Sequence, residues 1–259
     1  MDPARVKAAQ QELYAGEYFA LSSVLRPAAE ALVAAAGVDE GATVLDVAAG
    51  DGNVAVAAAL RGATVVATDL APVQVERGEG RTRVENVDVR WLVADAERLP
   101  FADDTFTHVL SSFGVVFAPR PEVAVAELVR VCRPGGVVAL TAWPAGSFMA
   151  EATAAVRELS PPDHPFPDLE LGWNDEDTIR ARLRPYAARL EIGRRSLPFD
   201  PAVRSAAGVR DCGAVFLAAR LEPQALAQLQ ARRAAIVAAF TGDDGIPRAD
   251  YLVVLATLD

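Results

Sequence analysis

The sequence predicts a doubly wound α/β fold around a mostly parallel, seven-stranded sheet, and three observations carry that expectation. Short apolar runs rich in Val, Leu and Thr alternate with helical stretches between residues 40 and 145. A glycine turn follows the first of those runs, and an acid lies within or just after each of the first three. Apolar strands that alternate with helices of eight to twelve residues argue for a parallel sheet covered on both faces. Ligands in such sheets bind beyond the carboxyl ends of the strands.

In chain order, two helical patterns open the sequence, the second over 26–36 and closed by Gly37. The run at 43–48 is the first strand, broken by Ala49-Gly50-Asp51-Gly52, after which 53–60 resumes helical composition. A second strand at 64–68 ends at Asp69, and a helix follows over 71–83. A third strand at 87–93 leads to Asp95, a fourth spans 107–112, a helix covers 122–131, and a fifth strand runs over 136–141. The second half is less regular. Helices are expected at 151–159 and at 175–183, the latter opened by Asn174, with strands at 190–197 and 251–258. Residues 161–168 contain four prolines and read as an irregular loop. Between the last two strands lies a mostly helical insert, 199–241, with its longest helix over 223–240. With no repeat and no low-complexity linker, 1–259 reads as one domain: N-terminal helices, a binding core at 40–145 and elaborations over 146–250.

Composition narrows the function classes. The chain has 259 residues, 52% of them apolar, and a net charge of −10. An acidic surface repels phosphate backbones, so no nucleic-acid partner is expected. Two cysteines and two histidines make neither a disulfide framework nor the usual four-ligand zinc site, so no metal is expected. No uncharged apolar run reaches membrane-spanning length and the opening residues lack a signal-peptide core, so the expectation is a cytoplasmic protein without a membrane partner. Lys7 is the single lysine among 25 basic residues. Together with abundant Ala, this bias fits a GC-rich bacterial coding sequence.

Gly50-Asp51-Gly52-Asn53-Val54-Ala55 fits G-x-G-x-x-A between a strand and a helix. Glycines permit the sharp turn and let a ligand approach the backbone. Asp69 follows Gly50 by nineteen residues, where a carboxylate can accept from ribose hydroxyls. The remaining choice is between a dinucleotide and S-adenosylmethionine. Asp46, four residues before Gly50, opposes a pyrophosphate and suits an ammonium, and Asp95 is placed to accept from an adenine amino group.

Four motifs occur in order: Val44-Leu45-Asp46-Val47-Ala48-Ala49-Gly50-Asp51-Gly52, then Asp69, then Ala94-Asp95-Ala96-Glu97-Arg98-Leu99-Pro100-Phe101, then Arg133-Pro134-Gly135-Gly136. With them, residues 40–145 resemble the class I S-adenosylmethionine-dependent methyltransferases, in particular the branch similar to ubiquinone/menaquinone-biosynthesis methyltransferases. The resemblance implies S-adenosyl-L-methionine as cofactor in a Rossmann-like methyltransferase fold. It implies that Asp46, Ala48, Ala49, Gly50 and Gly52 surround the methionyl part, Asp69 and Leu70 the ribose, and Asp95 and Ala96 the adenine. Ser111 and Phe113 would border the transferred methyl, and Tyr18 of the N-terminal segment would contact the cofactor. Two positions depart from the pattern: Ala48 replaces the usual first glycine, and Thr107 stands where an Asp often precedes the fourth strand. The absence of an Asn-Pro-Pro-Tyr motif after that strand argues against methylation of adenine or glutamine amides.

Methyl transfer from a sulfonium is an in-line displacement, and a base is needed only for a protonated nucleophile. Candidates are His164, in the proline-rich loop where a solvated histidine is the plainer reading, and Tyr18. Trp143, Phe148 and Trp173 follow the fifth strand and read either as an aromatic wall for a small-molecule acceptor or as core, with Phe113 as a further substrate-side residue. The insert 199–241 fits either a lid or a homodimer surface. The expectation is transfer of a methyl to O, N or C of a small organic molecule in bacterial specialised metabolism. Quinone-precursor C-methylation is an alternative, and a non-catalytic cofactor-binding protein is the rival from another class.

Overall fold

A computed structural model describes residues 2–14, 19–159, 172–199 and 223–259. Its centre is a seven-stranded sheet in the order β3-β2-β1-β4-β5-β7-β6. The strands are β1 Thr43–Val47, β2 Thr64–Asp69, β3 Val89–Val93, β4 Phe106–Ser112, β5 Cys132–Ala142, β6 Ala187–Pro198 and β7 Arg248–Leu258. The first five pair in parallel. β7 runs antiparallel to both β5 and β6. The expected fold class is therefore present, with each strand within a few residues of its predicted place.

Strand composition follows position in the sheet. β1 lies at the centre, and all but its first residue are buried, so its Val and Leu read as a core strand despite the buried Asp46 between them. β3 is an edge strand with only Trp91 fully buried, and its sequence is accordingly mixed. The chain reverses its direction of winding between β1 and β4, which opens a crevice beyond their carboxyl ends.

Eight helices among the described residues cover the sheet: α1 Pro3–Tyr14, α2 Phe19–Ala35, α3 Asn53–Ala59, α4 Pro72–Val84, α5 Pro121–Val131, α6 Phe148–Leu159, α7 Glu176–Leu183 and α8 Pro223–Ala239. α4 and α5 open on a proline in their first turn, where the missing N–H costs nothing. α7 is capped by Asp175, whose carboxylate accepts from the Thr178 N–H at 2.9 Å. The sequence pointed to Asn174 instead, one residue short of the position whose side chain reaches the third helical N–H. α2 begins earlier than expected and carries Pro27 inside it.

Two apolar cores lie on the two faces of the sheet. One joins α2 and α3 to β1, β2 and Phe148, and the other joins α5 and α7 to β4, β5 and β7. The insert contributes α8, which packs on α6 with an Arg232–Glu158 ion pair of 2.6 Å. No helix among the described residues is long and apolar enough to cross a membrane.

Candidate functional site

The turn after β1 is built from left-handed residues. Ala48, Gly50 and Gly52 have φ of 54, 58 and 94°. For Ala48 this conformation carries a cost of about 1–2 kcal/mol, and the contact that accompanies it is with Gly114. A Cβ on Gly114 would lie 2.2 Å from the Ala48 carbonyl oxygen and 2.7 Å from its Cβ. The alanine in place of the usual glycine is thus matched by a glycine opposite. Gly52 is left-handed at the start of α3, and a Cβ there would meet the Trp91 ring at 2.8 Å.

Two carboxylates hold this turn from behind. Asp69, at the end of β2, accepts from the Gly50 N–H at 2.8 Å and the Ala71 N–H at 2.9 Å. Burial pushes its carboxyl up to about 6, against the opposing pull of those N–H groups. Asp46 is 1% exposed. One of its oxygens accepts from the Ala55 N–H at 2.9 Å, and the other has no hydrogen-bond partner among the described residues. Burial raises the Asp46 carboxyl well above the usual range, and the neighbouring Asp69 and Asp51 charges act in the same direction.

Beyond the strand ends lies a cleft enclosing about 710 Å³ of empty space, its open mouth included. Ala48 and Gly50 border it from β1, Asp69 and Leu70 from β2, Asp95 and Ala96 from β3, and Phe113 and Phe117 from β4. A smaller cavity of about 320 Å³ lies beside it, lined in part by Asp46, Ala49, Asp51 and Ser112. Ala48 borders both. The cleft opens beyond the carboxyl ends of β1, β2 and β3, where ligands of such sheets bind.

Phe113 connects the cleft to an aromatic cluster. Its own φ is 56°, and its N–H is held by Thr141 Oγ1 at 3.0 Å. Its ring stacks on Trp143 with centroids 4.0 Å apart and planes 6° from parallel, and Tyr251 meets both rings edge-on. Non-glycine residues at positive φ are uncommon and concentrate at functional sites.

Other predicted residues lie elsewhere. Ser111 was expected beside the ligand, but its hydroxyl is buried, donating to the Val47 carbonyl at 2.7 Å and accepting from the Val115 N–H at 2.9 Å. It fastens β4 to β1. Trp173 is 2% exposed in the core beneath α5 and α7, with the Arg182 guanidinium 4.9 Å over its ring, and borders neither cavity. Phe148 packs against Phe199 and Phe240 in the opposite core. The three aromatic residues read as a wall or as core are thus divided: Trp143 stacks on Phe113 at the cleft, while Phe148 and Trp173 pack into opposite cores. Gly52 borders neither cavity and supports the turn from below. His164, Tyr18 and Cys212 lie outside the described residues. His108 is hydrogen-bonded to Thr107 at 2.6 Å, and burial lowers its pKa. Cys132 is buried, its thiol pushed up to about 12, which makes it a poor nucleophile.

Sequence reasoning missed one cluster. Lys7 from α1 lies 2.6 Å from Asp95 and 2.5 Å from Glu97, and Glu97 also accepts from the Arg120 backbone N–H and guanidinium at 2.7 and 2.8 Å. Lys7 being the only lysine was the available signal. Among the described residues, no three His, Cys, Asp or Glu side chains are grouped to hold a metal ion.

Comparison with known proteins follows the same outline. The methyltransferase-domain family matches residues 45–140. Two uncharacterized proteins of Mycobacterium tuberculosis are similar: one is 44% identical over 56% of this chain and 54% of its own length, the other 37% identical over 71% and 68%. The match thus spans about half the length of the first of these relatives. A demethylmenaquinone methyltransferase of Clavibacter sepedonicus is 42% identical over 39% of this chain and 40% of its own. Among solved structures, a candidate methyltransferase of Bacillus halodurans superposes with a TM-score of 0.60 at 20% identity, over 88% of this chain and 97% of that one. A phosphoethanolamine N-methyltransferase of Haemonchus contortus, solved with phosphomonomethylethanolamine and S-adenosylhomocysteine, superposes with a TM-score of 0.60 at 18% identity, over 90% of this chain and 52% of that one. At those identities the structures speak for the fold. The match over residues 45–140 places this chain in the methyltransferase-domain family.

Proposed function

We propose that this protein binds S-adenosyl-L-methionine in the cleft and transfers its methyl group to O, N or C of a small organic molecule, with residues 1–259 acting as one catalytic unit. The observation that carries the reading is the placement of Asp46, Asp69 and Asp95 at three adjacent strand ends around one left-handed turn. The chemistry of these donors fits the cofactor. Asp69 accepts from ribose hydroxyls with the lone pairs its two backbone N–H bonds leave, and Asp95 accepts from the adenine amino group. The unpartnered oxygen of Asp46 makes the adjoining cavity attractive to an ammonium. The same acids oppose a diphosphate, because the Lys7 ammonium is already neutralised by Asp95 and Glu97.

Bound there, S-adenosylmethionine supplies a methyl already activated by its sulfonium. The chain's task is then orientation and exclusion of water. Phe113, fixed by its own backbone bond and by the Trp143 stack, presents an apolar wall to the cleft and limits where an acceptor can approach. His164 and Tyr18 are the groups proposed to take a proton from an acceptor that carries one. Calorimetry with S-adenosylmethionine and S-adenosylhomocysteine, followed by a methyl-transfer assay over phenols, amines and quinone precursors, tests the proposal.

The likeness to demethylmenaquinone methyltransferase favours a quinone precursor as the alternative acceptor, carbon being the atom methylated. A protein that binds the cofactor and turns over none of these acceptors would be the non-catalytic alternative.

A further inference from the structure

α1 reaches the cleft with a single face. Lys7, Gln10 and Gln11 stand at i, i+3 and i+4, which places them side by side on a helix. Their polar ends bind the loops after three different strands. Lys7 pairs with Asp95 and Glu97 beyond β3. Gln11 donates to the Leu70 carbonyl beyond β2 at 2.9 Å, and Gln10 donates to the Phe117 carbonyl beyond β4 at 2.7 Å. All three side chains border the cleft. α1 thus forms a wall that ties three rim loops together through polar contacts, with Val6 buried beside them.

The ionic part of that attachment is set apart by its burial. The Lys7 side chain is 15% exposed and that of Glu97 is 0% exposed. Two carboxylates so close would repel each other without a cation between them, and Arg120 reaches only Glu97. The ammonium touches Asp95 on Oδ2, while Asp95 Oδ1 accepts from the Glu97 N–H at 2.9 Å. Between them these two contacts hold the Asp95 carboxylate in one orientation.

Building on the reading that Asp95 faces the nucleoside base, we propose that Lys7 is a positioning residue of the cofactor cleft. Its ammonium orients Asp95 and locks α1 across the nucleoside end, so that cofactor exchange requires the lock to open. The lock slows entry when the cleft is empty and slows release when it is filled. It therefore governs rates more than affinity.

Stopped-flow binding of S-adenosylhomocysteine to the full chain, compared among wild type, Lys7→Met and Lys7→Arg, tests this. Lys7→Met should raise both association and dissociation rates by roughly tenfold, the factor that about 1.4 kcal/mol of lost pairing produces. Lys7→Arg, which keeps the charge, should retain slow exchange. Amide hydrogen exchange in α1 should quicken in Lys7→Met even without ligand, and that readout does not depend on the cofactor. Unchanged rates and unchanged α1 protection in Lys7→Met would overturn the proposal, as would equally fast exchange in both variants. If Lys7→Met does not fold, wild-type release should still accelerate with ionic strength, and salt-independent release would count against the lock. Should wild type bind no S-adenosylhomocysteine, the cofactor assignment fails, while α1 protection still decides whether Lys7 holds the helix.

Discussion

Two demands meet at Asp69. It clamps the turn through two backbone N–H groups, and its buried carboxyl is raised to about 6. An acid whose native pKa exceeds its unfolded value of about 3.9 holds its proton longer when folded. Stability from this group is therefore fully present below about pH 4, declines as pH rises from about 4 to 6, and is lost above that. Ribose hydroxyls donate to the ionised form, so ligand binding favours proton loss. Affinity for S-adenosylhomocysteine should rise by at most about tenfold per pH unit between pH 5 and 6 and level off near pH 7, measured by calorimetry. A flat profile would place the ribose elsewhere. Asp69→Asn should weaken binding at least tenfold and cost about 1–3 kcal/mol of stability, since one N–H loses its acceptor. Asp46→Asn should behave differently. Burial already disfavours its charge, so the amide should leave thermal stability at pH 8 unchanged or higher while cofactor affinity falls. A melting temperature that drops together with affinity would make Asp46 a structural anchor alone.

The secondary-structure elements were legible in the sequence where local chemistry decides them. β1 and β2 carry β-branched apolar cores, Val44-Leu45 and Val65-Val66-Ala67, because they lie inside a parallel sheet, and α4 and α5 announce themselves with an initial proline. What the sequence hid depends on distant partners. Gly78 lies inside α4, where glycine lowers helix propensity, yet a Cβ there would fall 2.1 Å from the Trp91 ring. The glycine is present because β3 sends a tryptophan between α4 and the Gly52 turn. Gly78→Ala should therefore destabilise the protein by about 1–3 kcal/mol despite alanine's better helix propensity, and in a Trp91→Val background the same change should cost nothing further in thermal melts. The same blindness to distance explains Ser111, expected at the ligand but bonded within the core from β4, and Trp173, where the surroundings decide for core. It also explains Lys7, which lies 88 residues from the acid it binds.

At the scale of the whole molecule, one half of the chain builds the cleft and the other completes the sheet beside it. β5 runs into Trp143, β7 supplies Tyr251, and both rings close on Phe113 at the border of the cleft. An acceptor held on this cluster would depend on both halves. Trp143→Ala should therefore reduce methyl transfer while leaving S-adenosylhomocysteine affinity nearly intact, measured by turnover and calorimetry on the same preparation. Equal losses in both would assign the cluster to the cofactor. The arrangement of three acids and one left-handed turn is a claim about which ligand the cleft takes, and calorimetry tests it most directly. With the full chain at neutral pH, S-adenosylmethionine and S-adenosylhomocysteine should each bind at one site, with no heat from NAD or NADP at the same concentration. Binding of NAD without binding of either sulfur nucleoside would contradict the account.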